Sequence, residues 1–353
     1  MPELKLSRAT LPLVSKSVQT PAYAPASAQP GVLHLGLGAF HRAHQAVMTE
    51  AVLASGDLGW GIRAQIYGAS GVPVGSEFHV NTTTIGGQYS PTITGLTNGG
   101  FVATWDDYNS GNSIRAQVFS ASGDRIGGEF QVNRTTVDGQ QYDPTITALT
   151  NGGFVVTWYD YSEADGDPDS GIRAQVFSAS GATVGSEVHV NTTTATTQLS
   201  PTLAGLSNGG FVVTWHDYSG ADDDAGAGIR AQVFSAGGTK VGVEFHVNTT
   251  TTNNQTSPTI TGLANGGFVV SWTDRSGADN DAGTGIRAQL FNAGGSKVGG
   301  ELHVNTTTTD NQNTPSITSL TNGGFVVAWS DYSGADDDEG SGIRAQVFSA
   351  NGA

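Results

Sequence analysis

The 353-residue chain contains no cysteine, which excludes a disulfide framework, a thiolate metal site and a cysteine nucleophile. Charge is scarce at 13 % of residues, and positive charge scarcest: 15 Lys and Arg face 31 Asp and Glu, a formal net charge of −16. Nucleic acid and anionic membrane surfaces are poor partners for that balance. No apolar run approaches the roughly 18 residues of a spanning helix. The N-terminal stretch, interrupted by Lys5, Arg8 and Lys16, lacks the pattern of a secretory signal peptide. What abounds is glycine, 50 residues, beside Thr, Asn, Val, six Trp and 14 Phe. That composition is too apolar for a disordered chain and favours strands joined by tight turns.

An internal repeat organises everything after residue 60. Ile-Arg-Ala-Gln begins at Ile62, Ile114, Ile172, Ile229, Ile286 and Ile343, and Asn-Gly-Gly-Phe-Val at Asn98, Asn151, Asn208, Asn265 and Asn322. A Val-Asn block follows the same period, at Val80, Val132, Val190, Val247 and Val304. Self-similarity at a fixed period marks a repeat architecture, here five full copies and a partial sixth. Each copy reads as four short strands; in the third they fall at Ile172–Ser178, Glu187–Asn191, Pro201–Leu206 and Phe211–Trp215. Asn208-Gly209 supplies the hairpin turn, because both residues tolerate positive φ. Four antiparallel strands repeated around a ring make an all-β, β-propeller-like array; a linear β-array is the alternative. The count admits five blades and a spare strand, or six blades with one incomplete.

Arg and Glu stand 14 residues apart in every full copy: Arg63/Glu77, Arg115/Glu129, Arg173/Glu187, Arg230/Glu244 and Arg287/Glu301. Across a hairpin these become facing ion pairs contributing a few tenths to about 1 kcal/mol. His79, His189, His246 and His303 follow two positions later and read as hydrogen-bonded strand residues rather than metal ligands. The Asn-x-Thr sequons at Asn81, Asn133, Asn191, Asn248 and Asn305 read as strand-end residues.

The loop after each Trp strand carries the acids. Copy two holds Asp160, Asp165, Asp167 and Asp169; copy three Asp217, Asp222 and Asp224; copy four Asp274, Asp279 and Asp281; copy five Asp331, Asp336 and Asp338. Copy one has only Asp106 and Asp107. Clustered carboxylates beside Gly-rich turns suit calcium, which takes six to eight oxygen ligands, although the bidentate Glu of an EF-hand is missing. A solvated acidic loop is the competing reading.

Gly-Gly-Phe-Val-Val-Thr-Trp, Gly-Ile-Arg-Ala-Gln-Val-Phe-Ser-Ala-Ser-Gly and Glu-Phe-His-Val-Asn-Thr-Thr-Thr resemble tandem repeats of large secreted bacterial proteins of the RTX-type calcium-binding and adhesin group. Over residues 61–353, that resemblance implies an extracellular or cell-surface parent protein and calcium-dependent folding. The chain departs from it in lacking a Gly-Gly-x-Gly-x-Asp nonapeptide.

Residues 1–60 differ. Gly31–Ala46, with His34-Leu35-Gly36-Leu37-Gly38-Ala39-Phe40-His41-Arg42, reads as a strand, a glycine turn and an amphipathic helix over 42–54. Such a unit can cradle a pyrophosphate. Together with Leu6–Pro12 and Val18–Tyr23, it resembles the N-terminus of mannitol 2-dehydrogenase and fructuronate reductase, which implies an NAD loop at Gly36, Gly38 and Phe40. The resemblance ends near residue 62 without the remaining nucleotide domain or a Lys-x-x-x-x-Asn-x-x-His constellation, so the NAD loop reads as vestigial.

These observations lead to the expectation of a non-enzymatic, calcium-binding repeat module that serves as an adhesion or assembly scaffold, with an unidentified cell-surface, carbohydrate or protein ligand. A catalytically incomplete NAD-dependent polyol dehydrogenase remnant is the alternative. A propeller hydrolase is disfavoured, because catalysis needs unlike residues gathered at one place and the copies read as nearly interchangeable. The sialidase-type Ser-x-Asp-x-Gly-x-x-Trp box is missing as well.

Overall fold

The computed structural model describes residues 47–51 as a strand, and 61–109, 111–134, 140–162, 169–221, 226–334 and 340–353. Gly36, Gly38 and Phe40 lie outside these, as do Asp165, Asp167, Asp222, Asp224, Asp336 and Asp338. The described chain forms six antiparallel sheets. The first holds β1 (Val47–Ala51), β2 (Ile62–Tyr67) and β3 (Pro73–His79). The second runs β4 (Gln88–Gly95), β5 (Phe101–Asp107), β6 (Ser113–Phe119) and β7 (Arg125–Gln131). The third has β8 (Gln141–Ala148), β9 (Phe154–Asp160), β10 (Gly171–Phe177) and β11 (Thr183–His189). In the fourth, β12 (Gln198–Gly205), β13 (Phe211–Asp217), β14 (Gly228–Phe234) and β15 (Lys240–His246) follow the same order. The fifth comprises β16 (Gln255–Gly262), β17 (Phe268–Asp274), β18 (Gly285–Phe291) and β19 (Lys297–His303). The sixth has three strands, β20 (Gln312–Ser319), β21 (Phe325–Asp331) and β22 (Gly342–Phe348). The strands β4, β8, β12, β16 and β20 pack side by side as the inner edges of successive sheets. This is the β-propeller arrangement.

The sequence repeat and the sheet are out of frame. A copy counted from Ile-Arg-Ala-Gln supplies the two outer strands of one sheet and the two inner strands of the next. The acidic loop is a connection within a sheet, between β13 and β14 for example, and the Val-Asn-Thr-Thr segment crosses between sheets. The helix expected over 42–54 is also corrected: Val47–Ala51 is a strand paired antiparallel with Ile62–Ile66. The free inner edge of β2 offers unpaired ladder groups, and an extended neighbour satisfies them as a helix cannot.

Packing follows from alternation along the strands. Ile229, Ala231 and Val233 on one face of β14 meet Phe268, Val270 and Trp272 of the next sheet. Ile172, Ala174 and Val176 meet Phe211, Val213 and Trp215 in the same way. Trp105, Trp158, Trp215 and Trp272 are fully buried, and stacked Phe pairs such as Phe211/Phe234, with centroids 4.8 Å apart, fill the hairpin ends. Each fully buried apolar side chain of this size is worth about 1.5–3 kcal/mol. In the sixth sheet Ile343 and Val347 are 77 % and 58 % exposed, with no further sheet covering them among the described residues. The Asn-Gly-Gly turn is needed sterically: Gly209 sits at φ 92°, and a Cβ on Gly210 would come within 2.3 Å of the Phe234 carbonyl oxygen.

Polar networks join the sheets. The expected Arg–Glu pairs form, with Arg230 Nη1 2.9 Å from Glu244 and Arg173 Nη1 3.0 Å from Glu187. In the third, fourth and fifth sheets they are buried, with the Arg230 and Arg173 side chains 7 % exposed, and Arg115, Arg173, Arg230 and Arg287 each have a second partner. Arg230 Nε donates to Asp217 at 2.7 Å, Arg287 Nε to Asp274 at 2.7 Å and Arg115 Nε to Asp107 at 2.6 Å. These first acids of each loop therefore serve the strand network. Glu244 also accepts from the Thr192 and Thr193 hydroxyls of the preceding sheet, at 2.8 and 2.7 Å. The sequon asparagines are buried: Asn191 Oδ1 accepts the Ile172 amide at 2.7 Å and its Nδ2 donates to Gln198.

Candidate functional site

Asp279 and Asp281, described acids of the loop in the fifth sheet, are engaged by protein groups. Arg287 Nη2 donates to Asp279 at 2.5 Å. Asp281 accepts from Asn305 Nδ2 at 2.9 Å, and its Oδ2 lies 3.1 Å from His303 Nε2. Among the described residues no group of three or more His, Asp or Glu could hold a metal ion. Asp169 is exposed.

A different cluster arises where the inner strands begin. The residue after the buried Trp differs in every sheet: Asp106, Tyr159, His216, Thr273 and Ser330. Each pairs with an equally variable inner-strand residue, in the order Tyr89, Tyr142, Leu199, Thr256 and Asn313. Next on each inner strand comes Ser90, Asp143, Ser200, Ser257 or Thr314, always followed by proline. Proline cannot donate to the ladder, so the pairing slips by a bulge at each of these points. The residue before it, at the bulge, sits at φ of 49–54°. For a non-glycine residue this left-handed conformation costs about 1–3 kcal/mol, and such strain gathers at functional sites.

The side chain after the Trp latches onto the strained residue of the following sheet. His216 Nε2 accepts the Ser257 amide, and Thr273 Oγ1 the Thr314 amide at 3.2 Å. Asp106 accepts the Asp143 amide in the same manner, and the Ser90 hydroxyl as well. Its environment is otherwise unusual. Asp106 is 2 % exposed, and its Oδ1 is buried without a hydrogen-bond partner. Burial, followed by repulsion from Asp143, pushes the Asp106 carboxyl up to about 7 against the two hydrogen bonds that oppose the rise. Above it, Asp143 is exposed and its Oδ1 lies 3.3 Å from Ser90 Oγ.

Tyrosines surround the two carboxyls. Tyr89 meets Tyr108 edge-on with centroids 4.9 Å apart, Tyr108 lies 5.8 Å from Tyr142, and Tyr142 lies 5.6 Å from Tyr159 and 6.1 Å from Tyr161. Tyr89, Tyr108 and Tyr161 are 41 %, 43 % and 39 % exposed, so the wall faces solvent. Burial and the adjacent Asp106 push the Tyr108 hydroxyl up to about 12, and burial raises Tyr159 further. Both stay neutral hydroxyl donors. His216, also buried, is held down to about 4 and is therefore neutral at pH 7. A buried acid beside an exposed carboxyl, under an aromatic wall, can exchange a proton with a polar substrate held on the rings.

None of this was anticipated as a site. Asp106 counted as a short-loop acid, yet it lies within β5; Asp143 and the tyrosines drew no attention. The available signal was the variability itself, one column of unlike polar residues directly after an otherwise constant Trp.

No protein-family model and no curated protein matches this sequence. Solved structures do. The α-L-arabinofuranosidase Arb93A of Fusarium graminearum, solved with an iminosugar inhibitor, superposes with TM-score 0.55 at 12 % identity, covering 86 % of this chain and 89 % of that one. The α-L-arabinanase of Penicillium chrysogenum complexed with arabinobiose gives TM-score 0.54 at 14 % identity, covering 87 % and 89 %. The NanB sialidase of Streptococcus pneumoniae gives 0.54 at 9 % identity, covering 98 % of this chain and 73 % of that one. At these identities the likeness establishes the fold. It also overturns the expected function: the similar structures are carbohydrate-active enzymes, neither calcium scaffolds nor dehydrogenases. The argument against an enzyme fails on its own premise too, since the copies are not interchangeable at the column Asp106 to Ser330. Among the described residues no helix is long and apolar enough to cross a membrane.

Proposed function

We propose that the chain is a carbohydrate-active β-propeller that cleaves a glycosidic bond at the Asp106–Asp143 cluster. The observation that carries this reading is the buried Asp106 carboxyl, with one oxygen unpartnered, beside exposed Asp143 and beneath the tyrosine wall. Arabinobiose bound to a propeller of the same fold supports a sugar as the ligand.

In most glycosidases, cleavage uses two carboxyl groups in different protonation states. With its carboxyl pushed up to about 7, Asp106 retains a proton near neutral pH and supplies the acid. As the bond from the anomeric carbon to the leaving oxygen breaks, that oxygen takes the Asp106 proton. Asp143 faces the positive charge developing at the anomeric carbon; water then adds to that carbon and its released proton returns to the Asp106 carboxylate, restoring the acid. Ser90 lies within reach of both carboxyls and fixes their relation. The tyrosine faces take the apolar side of a sugar ring, and their hydroxyls stay available as donors.

Release of reducing ends from arabinan and other plant and bacterial polysaccharides tests this directly. The full chain should release them, and Asp106→Asn should reduce the rate by about 10²–10⁴-fold, the usual contribution of a positioned general acid. Unchanged release by both Asp106→Asn and Asp143→Asn would overturn the proposal.

A further inference from the structure

Resting on the reading of this cluster as a sugar site, we infer that the sugar it takes is uncharged, and that uronates and sialic acids are excluded. The groups acting electrostatically on Asp106, Tyr108 and Tyr159 are Asp106, Asp143 and tyrosines, with no Lys or Arg among them. The described cations other than Arg275 are committed elsewhere. Arg115, Arg173, Arg230, Arg287 and Arg344 are bound to the strand-end aspartates, and Arg63 to Glu77. Arg125 donates to the His79 carbonyl, Arg134 to Thr183 and Lys297 to the Asn248 carbonyl, while Lys240 lies beside Glu244. Arg275 occupies in the fifth sheet the position that Tyr108 and Tyr161 hold in the second and third, three sheets from Asp106.

A carboxylate-bearing sugar needs a matching cation, best a bidentate guanidinium, to repay its desolvation. At this cluster it would meet Asp143, a buried acid with an unpartnered oxygen and the field of a chain of net charge −16. A neutral ring meets five tyrosines on one side, with His216, Thr273 and Ser330 following in the next three sheets. Hydroxyl-to-hydroxyl hydrogen bonding and stacking satisfy it without any net charge.

Binding to the full chain at low ionic strength, measured by titration calorimetry or saturation-transfer NMR, tests the inference. One set is neutral (arabinobiose, xylobiose, lactose) and one anionic (3′-sialyllactose, digalacturonate). A neutral sugar should bind at least tenfold more tightly than either acidic one, and Asp143→Asn should narrow the gap while Arg275→Ala leaves it unchanged. Equal or tighter binding of an acidic sugar overturns the inference and leaves the sugar-site reading standing. Binding of none of them overturns both.

Discussion

Ser90 presents its hydroxyl 3.3 Å from the Asp143 carboxylate of the neighbouring sheet and within hydrogen-bond reach of Asp106, so its single proton is shared between the two. One small side chain thus ties two carboxyls from different copies of the repeat. Its own backbone sits at φ 49°, at the bulge just before Pro91. Replacing Ser90 with Ala removes the opposing hydrogen bond from Asp106, so its carboxyl should rise above about 7. Carboxyl NMR titration of the wild type and Ser90→Ala checks the direction; a fall would contradict the arrangement.

Asp106 also makes the fold pH-dependent. Its folded value, about 7, lies above the ordinary 3.8, so ionisation is harder in the folded chain than in the unfolded one. Below about pH 4 both states are protonated and there is no penalty. The penalty grows as pH rises from about 4 and is complete above about 7, reaching a few kcal/mol. Asp106→Asn should therefore lose this part of the pH dependence and be more stable than wild type at pH 8, which denaturant melts at pH 5 and pH 8 would show.

His216 works in the opposite sense. Burial holds it down to about 4 from 6.5, with Nε2 accepting the Ser257 amide, so protonation must break that latch. Above about pH 6.5 it is neutral in both states and costs nothing; stability falls as pH drops toward 4, by about 3 kcal/mol in all. Melts of His216→Gln between pH 4 and 7 should show a shallower acid slope than wild type, and an equal slope would remove His216 from the account.

The buried ion networks predict a gradient along the chain. Arg230→Ala leaves Asp217 and Glu244 buried without their cation and should cost about 3–5 kcal/mol. Arg63 is 23 % exposed and its partner Glu77 36 %, so Arg63→Ala should cost about 1 kcal/mol or less. Urea unfolding of the two variants distinguishes a buried network from surface pairing.

The strands, the hairpin turns and the Arg–Glu pairing were legible in the sequence because each is written identically in every copy. Burial of the pairs was not, since Asp217 and Glu244 come from different stretches that meet Arg230 only once three strands are side by side. The frame of the sheets was hidden because the acidic loop looks like a boundary but connects neighbouring strands. Residues 47–51 read as helix on local amphipathicity, whereas the open edge of β2 decides in favour of a strand. The site was missed for a related reason. Reading the repeat as a consensus discards the positions where the copies differ, and Asp106, Tyr159 and His216 lie at one of them.

The most direct test of the account is the pH dependence of glycoside cleavage in the wild type and Asp106→Asn, with Asp279→Asn, altered in an acidic loop, as control. The account predicts that wild-type activity falls above about pH 7 as Asp106 loses its proton. Asp106→Asn should lose most activity along with that alkaline limb, and Asp279→Asn should follow the wild type. An alkaline limb that persists unchanged in Asp106→Asn would contradict the assignment of the proton donor and, with it, the site.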